Sequence, residues 1–419
     1  MTPDFLVVGG GIIGINIANE LKRRFADASV HLIEKEKSGA EHSSGRNSGV
    51  LHAGFYYSAD SLKARFTRDG NRLLTDYCIE KKIPLNRCGK LVVAQKEADL
   101  TYLDELLRRG KKNGVELQEI TEDEAKKIEP RAITVQRAIF SPSTSSVDPE
   151  TVVHAMQQDA KANGVVFHHG TTYLGVSNGS VLTNRGKFNP GYLVNAAGLY
   201  ADKLARDFGF SEKYRVLPFK GLYLYSDETE HPIRTNIYPV PDLRNPFLGV
   251  HFTVTADGHV KIGPTAIPAF WREQYQGFDN FRFDELVDIV IRQIGLVTYS
   301  QFDFKKLAVE ELRKYFRPRL IGLAKSLASG IHNTDYRRWG RPGIRAQLLN
   351  IETKQLEMDY VLEGDEKSFH VLNAVSPGFT CSIPFSRYVC ERIENIVNRN
   401  PSPLPLYPLG HTSPKGRGG

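Results

Sequence analysis

Cysteine is scarce in this chain: 419 residues contain four, and Cys78, Cys88, Cys381 and Cys390 form no CxxC pair. Their spacing excludes a zinc ribbon, a thioredoxin-type redox pair and a disulfide-stapled fold, and it fits reduced thiols in a cytosol-like compartment. No metal site is expected. Uncharged apolar runs long enough to span a bilayer are missing, which excludes an integral membrane protein. Charge of one sign is weak as well. Lys and Arg total 55 against 48 acidic residues, and the net +7 is scattered, part of it at Lys415 and Arg417. Without a base-stacking or zinc module beside it, that charge suits small anions or anionic lipid, and no nucleic-acid partner is expected. Phe5 opens the first apolar run, leaving no signal or transit peptide ahead of it in the chain as it stands, so the expected location is cytoplasmic.

What is present is a balanced globular composition, 41% hydrophobic and 25% charged, long enough for two or three structural units. Residues 5–8, the glycines that follow, a helix over 15–24 and an apolar run at 30–33 ending at Glu34 read as a βαβ opening. Helices are predicted over 71–79 and 99–113, with a strand at 90–94 between them. Thr121 to Glu124 reads as a capping box, and Asp148-Pro149 as the N-cap and first turn of a helix reaching residue 163. Strands at 165–168, 173–176 and 192–195 are expected to return to the first sheet. Alternating stretches at 222–225, 235–240, 247–252 and 260–262 suggest a mostly antiparallel second sheet. Helices over 286–294 and 304–327 follow, then a strand at 369–375, a Ser-Pro-Gly turn and a helix to 398. The expected architecture is α/β: a discontinuous Rossmann-type nucleotide domain from 1–85, 145–215 and 340–400, an α+β substrate domain from 86–144 and 216–339, and a flexible tail at 401–419.

Gly9-x-Gly11-x-x-Gly14 lies between a strand and a helix, with Glu34 20 residues after Gly14 at the end of the next strand. The first glycine serves a tight turn, the second close approach of a pyrophosphate, the third helix packing, and the carboxylate the adenosine ribose hydroxyls. Glu34 also argues against a 2′-phosphorylated cofactor. FAD and NAD both remain open from this loop alone. Ile12, Ile13 and Lys35 flank these positions and are expected to line the cofactor, as is Val176. The stretch His42 to Tyr57 is rich in small hydrogen-bonding residues, and Ser43, Ser44, Asn47, Ser48 and Gly49 could lie along an extended cofactor; a polar surface loop is the competing reading. Near the other end, Pro377, Gly378, Phe379 and Thr380 join a strand to a helix, where backbone amides could stabilise the negative charge of a reduced flavin.

These residues carry a resemblance over about residues 3–398. The chain resembles the FAD-dependent D-amino-acid-oxidase and glycine-oxidase superfamily, and within it the L-2-hydroxyglutarate dehydrogenase (or oxidase) family. The stretches that carry it are Arg46 to Tyr57, Cys88 to Ala94, Asn236 to Asp242 with Phe247 to Thr253, and Gly343 to Gln347. Asn195-Ala196-Ala197-Gly198 resembles the second cofactor-contacting turn of such flavoproteins, which places Ala197 and Gly198 on the cofactor. Lys220-Gly221-Leu222-Tyr223 departs from the family's usual acidic or polar third residue, and Arg341-Pro342-Gly343 from its Pro-Ala-Gly turn.

The resemblance implies non-covalent FAD, a small dicarboxylate substrate, and oxidation of L-2-hydroxyglutarate to 2-oxoglutarate by hydride transfer to flavin. His52 is the first choice for the base that removes the hydroxyl proton, because a histidine is available as neutral imidazole at cellular pH. It could instead only hydrogen-bond cofactor or substrate, or carry the flavin covalently. His251 is the competing base. Arg345 is the candidate for the substrate 1-carboxylate through bidentate geometry; Lys220 and Tyr238 are candidates for the distal carboxylate and the hydroxyl. Alternatives are an oxidase of a small amino acid, amine or glycerol phosphate, or a flavin-dependent RNA-modifying protein. The family often reduces quinone, so the segment from Phe304 to Ile331, mixing apolar and basic residues, is a candidate for peripheral contact with the inner face of a membrane.

Overall fold

The computed structural model describes residues 1–241, 247–299 and 304–399; the tail expected at 401–419 lies outside them. The βαβ opening forms as strand Phe5–Val8, helix Ile12–Arg24 and strand Val30–Glu34. Both strands are buried almost throughout, as strands of a parallel sheet covered on two faces must be. They sit inside a six-stranded sheet ordered Val361–Gly364, Ser368–Asn373, Tyr192–Asn195, Phe5–Val8, Val30–Glu34, Val166–His169. Every neighbouring pair is parallel except the first, which is a hairpin. The sheet thus gathers strands from widely separated parts of the chain. Helices Ile12–Arg24, Leu62–Glu80, Pro149–Ala162 and Ser382–Arg399 share a core with it, including Ile15, Phe66, Val152 and Phe385.

Local signals place several helices as read. Thr121 and Glu124 exchange the reciprocal bonds of a capping box, Thr121 Oγ1 accepting from the Glu124 amide at 3.3 Å and the Glu124 carboxylate from the Thr121 amide at 2.8 Å. Asp148 accepts from the Thr151 amide at 2.9 Å, with Pro149 in the first turn. The helix expected at 71–79 is longer, Leu62–Glu80, capped by Ser61. Its first two turns carry Lys63, Arg65, Arg68 and Asp69, which hide the apolar spacing of Phe66 and Ala64.

One strand goes elsewhere. Tyr173–Ser177 does not join the first sheet; it forms a three-stranded antiparallel meander with Ser180–Thr183 and Gly186–Phe188. The cause is the Asn178-Gly179 pair, both at positive φ, which makes a tight two-residue hairpin.

An eight-stranded sheet stands beside the first, ordered Tyr336–Trp339, Leu224–Ser226, Val260–Gly263, His251–Val254, Asn236–Pro239, Lys90–Val93, Arg137–Ser141, Gln118–Thr121. It is antiparallel except where Asn236–Pro239 runs parallel to Lys90–Val93. A four-stranded antiparallel sheet, with Tyr214–Gly221 and Gly343–Asn350 at its centre, completes this side. Helices Phe304–Arg313 and Arg317–Lys325 are separated next to Pro318, and Leu307, Leu320, Ile321, Leu327 and Ile331 are buried in the cores beneath. Val309, Leu312 and Phe316 of the same segment are exposed, so its apolar residues divide between the protein core and the surface.

Candidate active site

A cleft of about 890 Å³ runs from the glycine loop to the second sheet. At its nucleotide end Gly9 has φ +111°, and a Cβ there would lie 2.4 Å from the Ala196 carbonyl oxygen. Gly14 faces away from the cleft, because a Cβ on it would meet the Gly9 carbonyl at 1.9 Å; its role is close packing of helix on turn. Gly11, Ile12 and Ile13 line the cleft. Ser44 Oγ accepts from the Ile12 amide at 2.9 Å, putting an oxygen at the helix start where a phosphate oxygen would also be held. The Glu34 carboxylate fixes the loop by accepting from the Gly10 amide at 2.6 Å and the Glu36 amide at 2.8 Å. Lys35 lines the same end, bonded to Glu36 and Glu273 at 2.7 and 2.6 Å. That ammonium sits between two members of the Glu36, His42 and Glu273 cluster, the arrangement in which a cation would otherwise be bound.

The polar stretch after His42 forms turns along the cleft floor. Ser43 donates to the Ile344 carbonyl at 2.7 Å, tying it to the strand that carries Arg345, and Asn47 donates to the Ser44 carbonyl at 2.8 Å. Ser43, Ser44, Asn47 and Ser48 line the cleft; Gly49 does not, since it holds the turn at φ +77° against the Val147 carbonyl. Ala197 and Gly198 line the opposite side, as do Pro377, Gly378, Phe379 and Thr380. Val176 lies outside, carried off with the meander. This end is an extended groove of backbone amides, small hydroxyls and the Glu34 carboxylate, which fits an FAD.

His52 follows strand Val50–Leu51 and is anchored by its amide, which donates to Thr380 Oγ1 at 3.2 Å. Its Nδ1 lies 3.4 Å from the Lys90 ammonium nitrogen, and its ring lines the cleft. Burial, reinforced by Lys90, His251 and Arg345, holds its pKa well below the ordinary value, so the imidazole is neutral at cellular pH. On the facing sheet His251 donates from Nδ1 to the Gly249 carbonyl at 2.8 Å and stacks on Tyr238 with ring centroids 3.6 Å apart. Burial drops its pKa to about 3. Both histidines therefore reach the cleft as neutral rings.

Arg345 lines the cleft between them, over the Phe247 ring at 5.1 Å, and burial lowers its pKa, with Tyr223 and Tyr57 nearby opposing. Among the described residues it has no carboxylate partner. Lys220 is not brought to it. In the ladder Arg345 pairs with Phe219 and Lys220 with Ile344, so alternation turns Lys220 to the other face of the sheet, toward Tyr315. Two positions escaped the sequence reading. Tyr223 lines the cleft, with the Lys261 ammonium over its ring at 4.6 Å, and was visible only as the last residue of the Lys220–Tyr223 stretch. Lys90 is fully buried behind His52, at the start of a strand whose apolar run marked it as core.

Residues 4–392 match the FAD dependent oxidoreductase family, DAO. The chain belongs to that family. Among relatives, an L-2-hydroxyglutarate dehydrogenase of Escherichia coli is 32% identical over 96% of this chain and 95% of its own. The mitochondrial L-2-hydroxyglutarate dehydrogenase of Homo sapiens is 35% identical over 93% of this chain and 88% of its own. The fold is shared with L-alpha-glycerophosphate oxidase of Mycoplasma pneumoniae, solved with FAD bound, at TM-score 0.75 and 22% identity over 94% of this chain and 95% of that one. Glycine oxidase of Geobacillus kaustophilus gives 0.68 at 18% identity over 95% of each chain. As a DAO-family protein the chain is an FAD-dependent oxidoreductase, and its glycine loop, Glu34 and the Pro377–Thr380 turn are the elements suited to hold that cofactor.

Proposed function

We propose that this FAD-dependent oxidoreductase oxidises L-2-hydroxyglutarate to 2-oxoglutarate. The observation that carries the reading is Arg345: a half-buried guanidinium without a carboxylate ion pair among the described residues, facing the same cleft as two neutral histidines. A half-buried guanidinium that makes no ion pair among the described residues is suited to an anion that arrives with the substrate. Bound FAD supplies the hydride acceptor. The protein does the rest. Arg345 grips the 1-carboxylate bidentately and fixes the hydroxyl carbon in the cleft. His52, held by Thr380 beside the cofactor turn, takes the hydroxyl proton as a neutral base. His251, its Nδ1 committed to Gly249, offers only Nε2, a fixed acceptor for the substrate hydroxyl or for Tyr238-side water. FAD is held non-covalently, and acid precipitation of the protein is expected to leave the flavin in the supernatant.

Anaerobic mixing with L-2-hydroxyglutarate, D-2-hydroxyglutarate, L-malate and glycerol 3-phosphate tests the substrate. Bleaching of the flavin by L-2-hydroxyglutarate is expected; bleaching only by glycerol 3-phosphate or an amino acid would replace this reading.

Electron delivery to a lipid-dissolved quinone, with peripheral membrane contact, extends the proposal. The supporting surface is helix Phe283–Tyr299, which exposes Phe283, Val287, Ile291, Ile294 and Val297, together with Phe278 at 82% exposure. Exposed Lys305 and Arg313 lie on the following helix. No helix among the described residues is long and apolar enough to cross a membrane. Co-sedimentation with anionic vesicles, stronger at low salt, is the expected result; equal failure to bind at both salt concentrations would remove the membrane from the account.

A further inference from the structure

Lys90 is a buried cation that the reaction as described leaves without a task. It is the first residue of Lys90–Val93, in the middle of the eight-stranded sheet, with no solvent exposure. Its ammonium nitrogen lies 4.3 Å from the Tyr238 ring centroid, 5.2 Å from that of Tyr56 and 5.7 Å from that of Phe55. Cys88 is the titratable neighbour on its own strand approach, His251 and Arg345 stand farther off across the cleft, and no ion pair to Lys90 occurs among the described residues. Among the described residues the one polar group in hydrogen-bonding reach is His52 Nδ1 at 3.4 Å. Nε2 of the same ring has no protein partner among the described residues.

This contact decides which nitrogen of His52 can act as a base. A neutral imidazole carries one proton. An ammonium at Lys90 must donate to Nδ1, which forces the ring proton onto Nε2 and leaves the cleft side a donor. A neutral amine at Lys90 has a lone pair that accepts from Nδ1–H, which leaves Nε2 free to take a proton.

We propose that Lys90 is a positioning residue and the terminal proton acceptor of a two-step relay: it selects the reactive tautomer of His52 and receives the proton that His52 passes on. The proposal rests on the hydroxy-acid reading above. As the hydroxyl carbon is oxidised and its electron pair taken up by the bound flavin, the substrate O–H bond breaks and an Nε2–H bond forms. The Nδ1–H bond then breaks and a third N–H bond forms on Lys90. The net charge ends on an ammonium enclosed by aromatic faces, which stabilise a desolvated cation. Burial brings the Lys90 pKa down to about 7, close to the pH at which a relay member must change state.

The test is anaerobic flavin reduction by L-2-hydroxyglutarate across the neutral range, read as the second-order constant, on holoenzyme. For the wild type that constant is expected to rise with pH through about 7 and then level off, as Lys90 loses its proton. Lys90→Met is expected to lower the plateau by on the order of 10²-fold and to remove the acid limb. Lys90→Arg is the sharper variant. Arginine stays protonated and keeps a donor on Nδ1, so it is expected to do no better than methionine; a merely structural role predicts that it restores activity.

A wild-type profile without a limb near neutrality, or wild-type rates in Lys90→Arg, would overturn the relay. If Lys90→Met does not hold FAD, the wild-type profile and the arginine variant still decide. A wild type not reduced by L-2-hydroxyglutarate overturns the substrate reading instead. The relay is then read from the nitrogen-15 shifts of His52: Nε2–H on the acid side and Nδ1–H on the alkaline side support it, and one tautomer throughout contradicts it.

Discussion

Arg272 is fully buried and Arg345 half-buried at the cleft, and their surroundings are opposite. Arg272 is 1% exposed and forked onto Asp202, with nitrogen to oxygen distances of 2.6 and 2.9 Å, and its amide donates to Glu285 at 3.0 Å. Its guanidinium also donates to the Leu199 carbonyl. The guanidinium's charge is answered inside the chain by Asp202 and Glu285. Around Arg345, Lys90 and the two histidines, aromatic rings surround groups that make no ion pair with a carboxylate among the described residues, Glu311 acting on Arg345 only from beyond ion-pair distance. The first region is finished by folding. On the proposed function the second is completed by the substrate's carboxylate, a difference that would separate a structural charge from a functional one.

Substitutions at these positions can break or sharpen that contrast. The largest expected effect is on stability: Arg272→Leu leaves Asp202 buried without its main partner and should cost about 3–5 kcal/mol, measured by denaturant unfolding. Next comes Arg345→Leu, which should lower kcat/KM by on the order of 10³-fold, chiefly through KM. Its unfolding midpoint should stay the same or rise, because a cation with no internal partner has been removed. A midpoint that falls as far as in Arg272→Leu would erase the contrast. His52→Ala should slow flavin reduction at saturating substrate by on the order of 10²-fold; unchanged reduction would move the base to His251. Arg345→Lys should be the mildest, roughly tenfold in KM, since the charge remains while the fork is lost.

How much of this the sequence carries depends on the kind of signal. The βαβ opening, the capped helices at Thr121 and Asp148 and the strand before Pro377 are written locally, in spacing and cap residues, and they form where read. The early start of Leu62–Glu80 was hidden because its buried face includes Lys63, Thr67 and Asn71 beside Phe66. Tyr173–Ser177 was misplaced although Asn178-Gly179 announces a hairpin, because its apolar spacing equally suits a return to the first sheet. Lys220 is on the correct strand and the wrong face, which only the ladder register reveals. Lys90 falls within the Cys88–Ala94 stretch, yet a lysine before Leu91, Val92 and Val93 reads as an edge of core and not as a site residue. Its contact with His52 spans 38 residues of chain and exists only in three dimensions.

The central claim is that the cleft guanidinium of Arg345, without an ion pair among the described residues, receives a substrate carboxylate. Titration of the oxidised holoenzyme with 2-oxoglutarate, followed by the visible flavin spectrum, tests it without any turnover. The account predicts saturable binding to the wild type, with affinity on the order of 10²-fold weaker in Arg345→Leu and the same bound FAD content in both. Equal affinity in the two proteins would contradict it.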